Sequence, residues 1–564
     1  MMREYSEADF DIRSLGCFYT PEKTVFRVFA PDYERMDLVI GPHSYEMHKK
    51  GLCFEIAFSG DLELRRYHYE SDNVRFKDPF SYLSVNDESL VLNEKKFISA
   101  RIVPHEYHSP IIYECSVRDF SSDPSFPGSY RKKFLAFTQR GLKSEEGESV
   151  GLDYLRQLGI THLQLLPVFD FDDDKGEYNW GYNPVAYNYV KSAYVNDVND
   201  PYAFINELRH TVNVLHENDI RVVLDVVFNH VYRYRFFDLG KMLAGRLYRH
   251  KADGTLAMGT MCGNEIKSED PFVRAYIVEM IERYLHLFDI DGVRMDLMGI
   301  SDYETVNLIY QTLSAKKKDF LVYGEGWNMG DALDESERAS INNVEKMPHI
   351  YMFNDHFRET IIHYVSGNDM IEEEVCKVLG GDEEYLDAYH SLNYVECHDD
   401  YTFFDRMMIF KSEDHDHIIG RRARLAMALV MIAKGIPFIH AGQEFFRTKK
   451  GIRNSYNSPD EINAIDWARK DRNLSTCEYL RDLIQIRKLY PSFSDPEDRY
   501  IFEHRGGCLI CRNSQLVIYI NQDDSEALLE NENITAVVFD GQRKCFKDTS
   551  TVSVPPFCVV ICQS

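Results

Sequence analysis

Three carboxylates stand where apolar runs end. They are Asp296 in Asp291-Gly-Val-Arg-Met-Asp, Glu325 in Val322-Tyr-Gly-Glu-Gly-Trp, and Asp399 in Asn393-Tyr-Val-Glu-Cys-His-Asp. Each run reads as a strand, and each acid is followed by loop-like sequence. A parallel α/β barrel gathers reactive groups at the C-terminal rim of its strands, so acids far apart in sequence meet over one pocket. Two carboxyls flanking a sugar–sugar bond are what glycoside hydrolysis requires, one as nucleophile and one as proton donor. A single acid after a strand is better read as a polar turn. Three of them, each joined to Arg, Trp or His, favour chemistry.

Their neighbours sharpen the roles. Arg294 precedes Asp296 by two positions, which on a strand puts both side chains on one side. A fixed guanidinium there keeps the carboxylate ionised, as a nucleophile requires; a structural ion pair inside a barrel would use the same two residues. Glu325 sits between Gly324 and Gly326, beside Trp327. An acid against an aromatic face and shielded from water holds its proton to a higher pH, which suits a proton donor. His398 and Asp399 offer hydrogen bonds to hydroxyls at the cleavage point, and such bonds strengthen as the sugar ring flattens. In Leu224-Asp-Val-Val-Phe-Asn-His, residues Asp225, Asn229 and His230 fall near the rim, where His230 either binds a sugar hydroxyl or caps a loop. The chain has only three tryptophans. Sugar rings pack their C–H faces on aromatic rings, so Trp180 and Trp327 are expected at a saccharide platform and Trp467 in the core.

Eight strand segments are expected to position these groups: 111–118, 162–167, 221–227, 292–296, 319–325, 350–354, 391–397 and 436–441. Helix-length segments lie between most of them, such as Gly151-Leu-Asp-Tyr-Leu-Arg-Gln-Leu with apolar residues at helical spacing. Eight alternating units argue a closed (β/α)8 TIM barrel over 106–492. An open doubly wound sheet is the alternative, but there functional residues cluster at one switch point rather than ending nearly every strand. Residues 1–105 read as an N-terminal carbohydrate-binding-like β-sandwich, with Thr24-Val-Phe-Arg-Val-Phe-Ala and Met36-Asp-Leu-Val-Ile as strands. After a helix at 477–489, residues 493–564 read as a C-terminal β-sandwich closed by 552–562.

Composition excludes several classes. An apolar fraction of 44% and a charged fraction of 27% are ordinary for a globular protein. A net charge of −27 repels nucleic acid and anionic membrane. The N-terminus shows no apolar core segment of a signal peptide, and the longest apolar stretch, 425–433, is too short to span a bilayer. The twelve cysteines are scattered, with Cys508-Leu-Ile-Cys511 the one pair at two-residue spacing and no second pair at that spacing to complete a zinc site. Free thiols in the cytoplasm are therefore expected. Asp170-Phe-Asp-Asp-Asp-Lys-Gly fails the EF-hand pattern by a misplaced glycine and a missing closing Glu. It is expected to be a solvated acidic loop, so no cofactor and no metal site are predicted; bound calcium finds no support in the sequence.

The segments 225–230, 292–296, around Glu325 and around His398-Asp399 resemble the four conserved regions of the α-amylase superfamily of retaining glycoside hydrolases. The seven residues Tyr178-Asn-Trp-Gly-Tyr-Asn-Pro resemble the signature of the type I pullulanases, which debranch α-glucans. Gly141-Leu-Lys-Ser-Glu-Glu-Gly, Gln164-Leu-Leu-Pro-Val-Phe-Asp-Phe and His440-Ala-Gly-Gln-Glu-Phe-Phe-Arg-Thr-Lys resemble the same subfamily. The resemblance implies Asp296 as nucleophile, Glu325 as acid/base and Asp399 as transition-state stabiliser. It implies Tyr182 stacked under the sugar, with Trp180, His230, Arg294, Trp327 and His398 around it, and a branched α-glucan as partner. The chain departs from the family at Asp400, where Asn is usual, and at Val293 and Met295, where aromatics are usual. Two other readings stay open: an α-1,4-active hydrolase or transglycosylase of the same fold, and a glucan-binding protein with an inactive barrel.

Overall fold

The computed structural model describes residues 4–71, 73–100, 109–173, 176–367, 372–382, 385, 390–530, 534–547 and 551–564. Eight parallel strands close on themselves: β1 (Ile112–Cys115), β2 (His162–Leu165), β3 (Arg221–Val226), β4 (Gly292–Met295), β5 (Leu321–Gly324), β6 (Tyr351–Phe353), β7 (Ser391–Asn393) and β8 (Ile436–His440). They pair in chain order, and β8 pairs back to β1, with Ile112 opposite Phe438. Every residue of β3 and β4 is buried, because lumen and helix layer cover both faces. Each segment expected from the sequence contains its strand. The observed strands are shorter; β7, for one, stops at Asn393 instead of 397. The residues shed from the C-terminal strand ends are rim-loop residues, among them Asp296, Glu325 and Cys397.

Helices on the outside carry the crossovers. Leu152–Leu158 ends at Gly159, whose φ of +86° supplies the left-handed cap. Asp416–Ile432 buries nearly its whole second half, in accord with the apolar run seen in the sequence. Pro271–Phe288 starts with Pro at its first position and Asp270 as its cap, the side chain accepting from the amides of Phe272 and Val273. This helix leads directly into β4.

The N-terminal region is all β, in a four-stranded and a six-stranded sheet. It packs on the helix that precedes β4. Phe29 stacks on Phe272 with centroids 4.4 Å apart and planes 9° off parallel. Tyr5 donates to Asp270 (2.8 Å), Tyr276 donates to the Pro79 carbonyl (3.0 Å), and Arg246 pairs with Asp32 (2.6 Å). The expected boundary at 105/106 lies outside the described residues. At the other end the 3-10 turn Pro491–Phe493 leads into a six-stranded and a two-stranded sheet. The closing segment 552–562 holds two strands, Thr551–Val554 and Cys558–Gln563. Pro555 and Pro556 lie between them, and proline cannot continue a ladder. Cys508 and Cys511 face different apolar clusters, as alternation along a strand requires.

One local expectation fails. The acids of the 170–176 loop are not simply solvated: the buried Lys191 ammonium lies 3.5 Å from Asp170 and 3.1 Å from Asp173. A side chain supplies the cation there. Residues 174 and 175 of that loop lie outside the described set. Among the described residues no helix is long and apolar enough to cross a membrane.

Candidate active site

Each rim residue is placed by the strand beneath it. Arg294 is the third residue of β4 and its side chain is 2% exposed. Its Nη1 contacts Asp225 Oδ1 from β3 and Asp296 Oδ1 from its own strand end, both at 3.0 Å; its Nη2 contacts Glu325 Oε1 at 2.5 Å. One guanidinium thus ties acids from three adjacent strands. Asn229 holds Asp296 from the far side, its amide donating to Oδ2 at 2.8 Å, and the Leu297 amide donates to Glu325 Oε2 at 2.8 Å. The glycines beside Glu325 have a steric cause. A Cβ at Gly324 would strike the Met295 carbonyl of β4, and one at Gly326 would lie 2.5 Å from Met352 Sδ.

A single positive charge cannot neutralise three buried carboxylates, and protons make up the difference. Burial, with repulsion from Asp296 and Asp399, pushes the Glu325 carboxyl up to about 8 against the pull of Arg294. Burial likewise raises Asp225 to about 7. The sequence expected shielding by Trp327. The structure puts Trp327 in the wall of the same cavity, of about 110 Å³, but burial in the whole barrel mouth is what shifts the group.

The opposite wall is built from β1 and β7. Buried Glu114 of β1 takes the His398 amide on Oε2 (2.7 Å) and the His398 ring through Nδ1 on Oε1 (2.8 Å). Gln164 donates to the same carboxylate (3.1 Å) and accepts from Tyr323 (2.6 Å). Burial disfavours the His398 cation, but Asp399 and Glu114 outweigh it and raise the ring to about 9. The His398 Nε2 lies 3.5 Å from Asp399 Oδ2, and the Asp399 side chain is 48% exposed. Lys449 donates to the His398 carbonyl (2.9 Å) and sits over the Trp180 ring (4.8 Å).

The signature segment closes a third side. Tyr182 donates to Asp225 Oδ2 (2.6 Å) and lies flat against His398, with centroids 5.0 Å apart and planes at 12°. Trp180 meets His398 edge-on at 4.9 Å. His230 is buried; its ring nitrogens engage Asn229 Oδ1 (2.6 Å) and the Tyr182 carbonyl (3.1 Å), which ties the signature loop to β3. Trp467 lies in the core, its indole N–H on the Phe120 carbonyl.

Sequence reasoning missed Glu114, Asp355, Arg358 and Tyr394, all in the cavity wall. Glu114 left a signal, a lone acid inside the apolar run Ile111-Ile-Tyr-Glu-Cys. Asp400 turns away. Its carboxylate pairs with Arg453 (2.8 Å) and its own φ is +64°. Asn and Asp are the side chains that accept this left-handed region most readily, which accounts for either residue here.

Residues 130–239 match the family model for the catalytic domain of alpha-amylase. The chain is 34% identical to the pullulanase of Bacillus subtilis (strain 168) over 85% of this chain and 72% of that one. The crystal structure of the type I pullulanase from Bacillus subtilis str. 168 complexed with maltose superposes with a TM-score of 0.93, at 29% identity over 99% and 86% of the two chains. The pullulanase of Paenibacillus barengoltzii in complex with maltohexaose and alpha-cyclodextrin gives 0.91, at 32% identity over 98% and 96%.

Proposed function

Because the chain belongs to the pullulanases, α-1,6-glucan debranching hydrolases of the α-amylase family, we propose that it hydrolyses branch linkages of glycogen or limit dextrin in the cytoplasm, with retention of configuration. In this reading Glu325 gives its proton to the glycosidic oxygen while the Asp296 carboxylate attacks the anomeric carbon, forming a glycosyl-enzyme. Water then attacks that carbon, Glu325 takes the water's proton, and Asp296 leaves. Asp399 and His398 bind hydroxyls of the flattening ring. Tyr182, Trp180 and Trp327 frame the sugar, and Arg294 and His230 hold the acids and the signature loop in place.

The observation that carries the reading is the shared guanidinium, with Asp296 on Nη1 and Glu325 on Nη2. Retaining enzymes keep their two carboxyls about 5–5.5 Å apart, and one side chain bridging both is a means of holding them close. The raised Glu325 supplies a protonated donor at neutral pH. The cytoplasmic assignment is supported by the buried thiols: six cysteines are buried, including both members of the Cys508–Cys511 pair, as suits a reducing compartment.

Digestion of pullulan, glycogen limit dextrin and linear amylose tests the reading. Maltotriose from pullulan, with the newly formed end in the α configuration by NMR, is the expected result. Panose from pullulan, or attack on amylose alone, would point to an α-1,4 enzyme; a β product would rule out retention.

A further inference from the structure

Cys397 lines the catalytic cavity together with Glu325, His398 and Asp399, and no step of hydrolysis uses its thiol. Its Sγ, a ring nitrogen of His398 and a carboxylate oxygen of Asp399 all lie within 4.8 Å of one another. Burial holds the Cys397 thiol protonated, and Asp399 and Glu114 favour the His398 imidazolium, so an incoming metal must displace both protons to solvent. Thiolate, imidazole and carboxylate then form a mixed donor set of the kind zinc accepts. The second observation is how His398 is held. Buried Glu114 occupies Nδ1, which leaves Nε2 as the nitrogen facing Asp399. A carboxylate on the far nitrogen of a ligating histidine is the arrangement that fixes ring orientation in zinc centres.

We propose that Cys397, His398 and Asp399 form a binding site for a thiophilic divalent cation of the zinc–cadmium class, and that the bound cation closes the catalytic cavity to glucan. Metal–ligand lengths of about 2.0–2.3 Å in tetrahedral geometry put donor atoms roughly 3.3–3.8 Å apart, so the three groups must draw together by about 1 Å. The half-exposed Asp399 side chain supplies that movement. The cavity gives the fourth position to water. Glu325 and Asp355 face the site as further carboxylates, opposed by Arg294 and Arg358. Inhibition follows because the ligands His398 and Asp399 are the groups assigned above to the sugar.

The inference rests on the functional reading only for its inhibitory part, and two readouts separate them. Cadmium titration of the full chain, followed by the ultraviolet thiolate-to-metal charge-transfer band, reports binding alone. The band is expected to be weaker by one thiolate in Cys397→Ser and Cys397→Ala than in the wild type, and to be suppressed in the wild type by excess maltotetraose. Zinc added to the pullulan assay is expected to inhibit the wild type reversibly, EDTA restoring the rate. At least tenfold more zinc is expected to be needed in both variants. Equal cadmium bands in all three proteins would overturn the site, as would a wild-type band indifferent to the oligosaccharide if the variants fail to fold. Equal zinc sensitivity with a diminished band would overturn the inhibitory role. A diminished band in a protein that cleaves no glucan would leave the site standing and remove the functional reading.

Discussion

The two walls of the pocket are held in different ways. On the β3–β5 side, Arg294 is sealed in the barrel mouth and grips Asp225, Asp296 and Glu325. On the β7 side, the backbone of His398 is clamped by Glu114 and Lys449, yet Asp399 projects half into solvent and lies 3.5 Å from the His398 ring. The acids proposed to face each other across the bond are preset, at the cost of crowding three carboxyls around one cation. Asp399, proposed above to answer charge developing on the sugar, keeps a half-exposed side chain with room to adjust. Preorganisation is concentrated where bonds break.

The sharpest way to break this contrast is to remove the preset acids. Asp296→Ala and Glu325→Gln are expected to lower kcat by about 10²–10⁴-fold or more, on the scale of lost acid–base and nucleophilic catalysis. Melting temperatures should stay near the wild type, since neither side chain packs the core. Retention of more than a few per cent of the rate by Asp296→Ala on pullulan would put the nucleophile elsewhere.

Arg294→Met probes the clamp itself. Leaving buried carboxylates without their cation costs on the order of 3–5 kcal/mol, so a depressed denaturation midpoint should accompany loss of activity. A variant as stable as the wild type would show that the cluster is already neutral without its arginine.

The preset side also fixes a pH limb. Glu325 must carry its proton in the free enzyme, so kcat/KM should fall as pH rises through about 8. A fall centred near 5 in the pH profile would remove Glu325 as donor.

On the opposite wall Glu114→Gln takes away one of the two anions that favour the His398 cation. The His398 ring sits at about 9 when folded against about 6.5 unfolded. Its contribution to stability is therefore complete below about pH 6.5 and is lost as pH rises through about 9. Thermal melts across that window should slope downward in the wild type and more gently in Glu114→Gln; parallel curves would count against the clamp. The smallest effect belongs to Asp400→Asn. Its pairing with Arg453, whose side chain is 63% exposed, is worth at most about 1 kcal/mol. Superimposable pH profiles of kcat/KM are expected, and a displaced acidic limb would mean that Asp400 faces the sugar after all.

Much of this was legible in the chain. Acids at strand ends announced a barrel with its chemistry at one rim, and Arg294 two residues before Asp296 announced their contact. What escaped was whatever depends on three-dimensional closure. Glu114 lies far from His398 in sequence and becomes its partner only because β1 and β7 flank β8 in the closed barrel. The outward turn of Asp400 follows from a backbone angle that the residue type permits and does not dictate. The replacement of solvent by Lys191 in the acidic loop depends on a chain reversal.

The stack of Phe29 on Phe272 bears on how the chain is made. Synthesis delivers the N-terminal sandwich first, and domains generally fold in that order. Its aromatic ledge precedes the helix 271–288 in the chain, and that helix leads into β4 and Asp296 behind it. Parallel barrels fold slowly, because their pairings are non-local. A nascent half-barrel exposes apolar helix faces for as long as it waits. The sandwich gives the helix 271–288 an aromatic and hydrogen-bonding surface to pack on, through Phe29 against Phe272 and Tyr5 against Asp270.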